Sequence, residues 1–592
     1  MIQFSQLITT QNGQALIAKM MSGVSGVQFT KVCASNTVYT MSQLASLTAL
    51  SGIKQTSSIS NVQRTNNTAV QVRTAFTNAD VSTGYYMRTI GLYATDPNVG
   101  EILYAVAIAL DDNCYMPPYN GVTQTGAYIE LVQTVGNASS VSLSVDSGVY
   151  ATIGDIQELE NEIADLKAYI GYSDSDIYGV EVDFKNNKFT RLAGAENLVA
   201  GTGFDNINAF GGRKRCILAN DGTVLAYQGD AAFTTSGKLT QEVTVGSTTY
   251  SVGTVCQVMV EQPKFYYKVV PILLDTKHKG GITRKVRYYV SDTPKTGFKV
   301  HPDFKIKGTN EEFNYVYHSA FEGSLWDASA SAYILDDSQV ADFSADMLCS
   351  IANAKPISGL TQNLTRANTR KLAEKRGTGW EQLTVQAASA TQLLMLIEYA
   401  SFNMQTAIAN GAVSKTDDGS SNMAENTGAT VSLGNKTGAV INDNGIQIVS
   451  YRGEENPWGN IWKWVDGINE YMNPTTKEGT VYISDYGFAD DSSATPYEDA
   501  GIIAVYGSGY ISAFAYNEEF DWLFIPGELS GNSSLPVGDY CWNGNTGWRV
   551  AELGARWYHA LAAGPFYWDL SSDSSYRTRY VSGRLVFRNK AA

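Results

Sequence analysis

About a quarter of the way along the chain, five apolar residues recur at the spacing of a coiled coil and divide the sequence around them into two blocks. Ile156, Leu159, Ile163, Leu166 and Ile170 alternate steps of three and four residues, while Glu158, Glu160, Glu162, Asp165 and Lys167 take the other faces. Such an a/d pattern makes one helix face a seam that a second copy of the same helix buries. Residues 151–172 are therefore expected to form a short coiled coil that holds an oligomer in register. Isoleucine at a with leucine at d leans, by itself, towards two strands. Helices shorter than about 12–15 residues are marginal in water, so the flanking blocks must also hold the chains together. A lone amphipathic helix packed on a neighbouring domain is the other reading of this spacing.

Residues 1–150 form the first block and read as α+β. Residues 12–21 are amphipathic, with Leu16, Ile17 and Met20 on one side, and alternating runs follow at 70–76 and 140–145. Between them lies Arg88-Thr89-Ile90-Gly91-Leu92-Tyr93, followed by Glu101-Ile102-Leu103-Tyr104-Ala105. These segments resemble the N-terminal modules of phage tail fibres. The resemblance implies a module that attaches the fibre to other tail or baseplate proteins of the virion, or builds its shaft. It also implies a homotrimer, which overrides the weak dimer preference of the heptads.

The second block divides into a β-rich lead-in at 173–250 and a larger α+β domain at 251–592. Val180, Val182 and Phe184 alternate, and Cys216-Ile217-Leu218-Ala219 runs into an Asn220-Asp221-Gly222 turn. Residues 256–268 read as a strand pair interrupted at Pro263. Helices are expected at 364–376 and 387–410, the second apolar enough to be buried.

Charge and cysteine content remove several function classes. The net charge of −15 leaves no cationic footprint for nucleic acid. Only 17% of residues are charged, and the 35 tyrosines suit both strands and binding surfaces. Cys33, Cys114, Cys216, Cys256, Cys349 and Cys541 show no metal-ligand spacing and read as buried thiols. Met1-Ile2-Gln3-Phe4 lacks the basic start and apolar run of a signal peptide, and no apolar stretch reaches the roughly 18 residues of a membrane span. The expectation is a protein made in a host bacterial cytoplasm, released within a virion and not inserted in a membrane.

The region from 364 to 587 carries the most specific likeness. Arg366, Arg370, Gly377, Trp380, the run from Gln392 to Tyr399, and Asn456-Pro457-Trp458-Gly459 with Trp462 and Trp464 resemble, in that order, the formylglycine-generating-enzyme-like branch of the C-type lectin fold. The three tryptophans read as core. Residues 541–587 resemble the variable region of proteins diversified by retroelements, in which adenine changes convert asparagine codons to Tyr, His, Asp, Ser, Thr or Ile. Eight of the ten residues from Ser571 to Tyr580 belong to that set, the exceptions being Arg577 and Arg579. Ala555 stands where that family has a second glycine. The resemblance implies an outward ligand-binding patch of Arg556, Tyr558, His559, Asp569, Ser571, Ser572, Tyr576, Thr578 and Tyr580. Its scaffold would be Trp548, Trp557, Phe566, Trp568, Arg584 and Phe587, and its ligand a bacterial surface receptor, protein or glycan.

Two rival functions are weighed against this. Formylglycine chemistry needs a close cysteine pair near the C-terminus, and only Cys541 lies there. A glycan-degrading fibre needs two carboxylates about 5–10 Å apart in a cleft; Glu454 and Glu455 are the local candidates, and a solvated acidic turn is the plainer reading. His278, His301, His318 and His559 lack triad or metal spacing, so no enzyme is expected. The other rival is a structural tail or baseplate part without receptor contact, which has no use for a varied aromatic-polar face. Asp417-Asp418 and Asp490-Asp491 could take a structural calcium ion, but acidic turns are mostly solvated and no metal or cofactor is expected.

Overall fold

The computed structural model describes residues 2–22, 28–66, 69–110, 114–121, 125–134, 143–146, 172–276, 279–360 and 363–589. The heptad positions Ile156, Leu159, Ile163, Leu166 and Ile170 lie outside the described residues, as does His278. The chain divides into two compact units, Met1–Leu166 and Lys167–Ala592. The α+β character expected of each block is mostly β: antiparallel sheets dominate and helices are few.

Two five-stranded sheets build the first unit. One runs Ile2–Phe4, Leu143–Asp146, Gly126–Thr134, Ala69–Thr77, Asn61–Asn66; the other runs Ile8–Thr9, Gly100–Ile108, Thr89–Asp96, Gln28–Ser35, Ile53–Ser58. Val72, Phe76, Ile129 and Leu131 of the first share one buried cluster with Val32, Ile90, Leu92 and Ile102 of the second. Period-two alternation thus turns one side of each sheet inward. The motif strand Thr89–Asp96 is central, and a Cβ at Gly91 would lie 2.6 Å from Leu50 and 2.8 Å from Leu103. Glycine is needed there for close packing. Helix Gln11–Met21 starts at Thr10, whose hydroxyl accepts from Gly13 N at 3.1 Å.

The second unit holds five-, six- and eight-stranded sheets besides smaller ones. The six-stranded sheet runs Val224–Tyr227, Lys214–Ala219, Cys256–Pro263, Tyr315–Ser319, Leu585–Arg588, Trp380–Gln382. The boundary drawn at residue 250 therefore falls within one hydrogen-bonded layer. Phe587 faces Tyr317 on one side and Trp380 on the other, pairings so distant in sequence that no local pattern carries them. After Pro263 the chain enters a different sheet with Tyr266–Asp275.

Helix Arg366–Glu374 is capped by Thr365, and helix Val385–Tyr399 by Thr384. The second is buried from Val385 to Glu398 but stops well before residue 410. Ala400 takes a left-handed φ of 48°, and a separate helical turn follows at Met404–Ala407. The break places Phe402 among Phe184, Phe514 and Phe566, with ring centroids 4.9–5.8 Å apart. Burying a phenylalanine yields about 1.5–3 kcal/mol, against about 1–2 kcal/mol for one left-handed alanine.

The eight-stranded sheet positions the site. Its order is Glu498–Ala504, Gly479–Ile483, Trp462–Met472, Gly547–Leu553, Trp568–Ser572, Tyr540–Asn543, Gly507–Tyr510, with Val581–Ser582 added parallel to Trp462–Met472. Trp458, Trp462 and Trp464 are all buried in its core. Among the described residues, no helix is long and apolar enough to cross a membrane.

Candidate functional site

Strands Gly547–Leu553 and Trp568–Ser572 pair antiparallel, so residues 554–567 join them at one end; residues 573–580 leave the other end and return, bringing Tyr580 against Arg556 and Trp557. The frame beneath them is rigid. Trp557, Phe566 and Trp568 are each 1% exposed or less, and Trp568 Nε1 donates to the Phe524 carbonyl at 2.9 Å; Phe587, 2% exposed, packs instead in the six-stranded sheet with Tyr317 and Trp380. The buried Arg584 guanidinium donates to the carbonyls of Glu455 (2.7 Å), Ser319 (2.8 Å) and Asn456 (3.1 Å), and to Ser319 Oγ (3.1 Å). Trp548 departs from the scaffold role: it is half-buried and packs on Tyr471 and Tyr482, 5.2 and 5.6 Å away.

Backbone bonds hold the loops. Gly359 N donates to Thr578 O (2.8 Å), Trp462 N to Tyr580 O (2.9 Å), Lys415 N to Trp557 O (2.8 Å) and Ala560 N to Val413 O (2.8 Å). None of these depends on the loop side chains, so side chains can change while the backbone course stays. Arg579, one of the two residues outside the adenine-linked set, is an exception. It donates to Asp417 Oδ1 at 2.5 Å and to the Ser421 carbonyl at 2.6 Å, tying residues 573–580 to residues 417–421. Arg579→Ala is expected to free that tether, removing about 1.5–3 kcal/mol of charge-assisted bonding. Faster amide exchange confined to the 573–580 loop would show it; unchanged exchange would contradict it.

Tyr558 is 38% exposed; His559, Asp569, Ser571, Tyr576, Thr578 and Tyr580 are half-buried at the same surface. Arg556 and Ser572 do not face outward as expected: they are 8% and 7% exposed. The Arg556 guanidinium carbon lies 3.3 Å from the Tyr580 ring centroid and 4.3 Å from that of Tyr558. Two aromatic faces thus cover the cation and repay part of its desolvation. Ser572 follows Trp568 and Leu570 onto the inner side of its strand, where its hydroxyl donates to Glu552 Oε1 at 2.7 Å.

Glu552 was not anticipated. A bulge between Val550 and Glu552 sets this carboxyl opposite Asp569 across the strand pair. Burial, and for Glu552 the neighbouring Asp569 charge, push both acids above the usual carboxylate range. Burial and then the Arg556 charge push His559 down to about 3, so its imidazole is neutral at physiological pH. It packs between Tyr558 (4.9 Å), Tyr567 (5.3 Å) and Trp462 (5.4 Å), and Tyr576 and Tyr580 share a hydroxyl–hydroxyl bond of 2.6 Å. The surface offers aromatic faces, hydroxyls and one neutral imidazole.

The other candidates are occupied structurally. Glu454 accepts from Arg213 at 2.8 Å, and Glu455 from Gly428 N and Thr430 N at 2.7 Å each. Both acids are buried, not a solvated turn. Asp490 pairs with Arg366 and Arg370, and Asp417 with Arg579. All six cysteines are free and buried. Among the described residues, no group of three or more His, Cys, Asp or Glu is placed to hold a metal ion.

No family model matches the chain, and no curated protein matches it. Among solved structures it is similar to the Major Tropism Determinant U1 Variant and the Major Tropism Determinant P3c Variant. Each is 11% identical, with 66% of this chain and 73% of that chain covered and a TM-score of 0.21. A likeness at that TM-score carries no argument about this chain.

Proposed function

We propose that this chain is a phage tail-fibre receptor-binding protein that recognises a bacterial surface receptor through the surface of Tyr558, His559, Asp569, Ser571, Tyr576, Thr578 and Tyr580. The observation that carries this reading is the division of labour at the two loops. Their course is held by backbone bonds and by a frame of buried Trp557, Phe566, Trp568 and Arg584, while aromatic and hydroxyl side chains stand at the surface. Rigid aromatic anchors with adaptable polar neighbours are how paratopes combine affinity with tolerance of change. In this reading the second unit is a lectin-like domain that binds without chemistry. The first unit joins other virion tail or baseplate proteins, and a homotrimer multiplies weak single sites by avidity.

The test is retention of the purified protein on cells of the bacterium that its virus infects. Thr578→Ala touches a surface position, where stability changes stay within about 0.5 kcal/mol, and Tyr558→Phe and Tyr580→Phe keep the rings over Arg556 and remove only a hydroxyl each. Binding is expected to fall at least about tenfold, equivalent to about 1.4 kcal/mol, with an unchanged melting temperature. Full binding by all three variants would remove the patch and leave a structural tail part, or a fibre that grips elsewhere.

A further inference from the structure

One concavity of the second unit combines an aromatic floor with a polar rim and shares no residue with the patch. It has a volume of about 420 Å³, within the usual range of roughly 300–1,000 Å³ for small-ligand pockets. Its floor is aromatic and nearly buried: Tyr267 is 1% exposed, Trp522 4% and Phe520 7%. These rings are fixed by neighbours, with Phe520 6.4 Å from Trp522, and the buried His301 ring 5.4 Å from Tyr267 and 6.2 Å from Trp522. One wall is Tyr486, an exposed ring lying so close on Gly308 that a Cβ there would come within 2.3 Å of it. Only glycine leaves that ring its place.

The rim is charged but balanced. Lys299, Lys305 and Lys307 face Asp485, Glu498 and Glu519, three cations against three anions. Lys307 Nζ bridges Glu498 and Glu519 at 2.9 and 2.8 Å. A charged ligand would find no net opposite charge here. A ligand with many hydroxyls would find ammonium donors and carboxylate acceptors side by side. In the same lining, Gln386 is 1% exposed and its Oε1 has no hydrogen-bond partner among the described residues, while its Nε2 donates to the Ser484 carbonyl at 3.0 Å. A buried acceptor left open is costly unless something donates to it.

We propose that this pocket binds a neutral saccharide, one pyranose ring seated with its C–H face on the aromatic floor and its hydroxyls on the lysine–carboxylate rim. It is a second site, separate from the patch, and neither stands or falls with the other. The test is saturation-transfer NMR of the full chain with glucose, galactose, mannose, N-acetylglucosamine and glucuronate, each in turn. Transfer to at least one neutral sugar is expected. It should weaken at least about tenfold in Tyr486→Ala and in Glu498→Gln, two rim changes far from the core, and persist in Tyr558→Ala. Melting curves establish that the variants fold. Absence of transfer to every neutral sugar, transfer only to glucuronate, or transfer undiminished in both rim variants would overturn the proposal.

Discussion

Replacing Arg584 with methionine is expected to destabilise the second unit by about 3–5 kcal/mol, the range for breaking a buried ionic contact by removing one partner. The side chain is 2% exposed and donates to three backbone carbonyls in two separate segments, at Ser319 and at Glu455 and Asn456. Methionine fills similar volume but leaves those oxygens without their donor, and Glu454, 3.9 Å away, loses a cation. Lysine is no substitute, because one ammonium cannot reproduce the planar fork. All ten tryptophans, from Trp326 to Trp568, lie in this unit, so the urea midpoint of tryptophan fluorescence reports it alone. A midpoint shift no larger than that of Thr578→Ala would refute the role assigned to Arg584.

A second large effect is expected from Glu470, on the strand next to the site. Burial pushes its carboxyl up to about 8, against the opposing bond from Asn543 and the Arg549 charge. Asn543 Nδ2 donates to Oε1 at 2.9 Å, and Oε2 has no partner among the described residues, as suits a protonated acid. The folded form keeps a proton that the unfolded chain releases near pH 4.3. This group's contribution to stability is therefore full below about pH 4.3, falls as pH rises to about 8, and is flat above. The loss across that window is about 3–5 kcal/mol. Glu470→Gln imitates the protonated acid, so it should match the parent near pH 4.5 and exceed its stability by that amount near pH 9. Parallel stability curves for the two proteins would count against it.

Local pattern carried much of this fold. Alternation marked the strands Ala69–Thr77 and Tyr178–Asp183, and unbroken apolarity marked the buried helix. The tryptophans at 458, 462 and 464 were legible as core because a cluster so large has nowhere else to go. Ser572 was legible as well, since Trp568 and Leu570 fix the inward parity two and four residues earlier, but loop-like composition hid it. Arg556 was not legible: the Tyr580 ring that covers it lies 24 residues on, and only folding brings them together. Glu552 escaped because a bulge resets the alternation just before it. The helix ended early because Phe402 found a partner in Phe566, again a contact without a local sign.

The last strand, Leu585–Arg588, lies inside its sheet with Tyr315–Ser319 on one flank and Trp380–Gln382 on the other. Without this strand a gap stands between those two neighbours, and domains tend to complete folding as units. Any stop or frame shift within codons 556–580 deletes this strand and Arg584 with it. Such products expose two unpaired inner edges and are marked for aggregation and proteolysis. The six-stranded layer therefore closes only in chains whose residues 556–580 were translated whole and in frame.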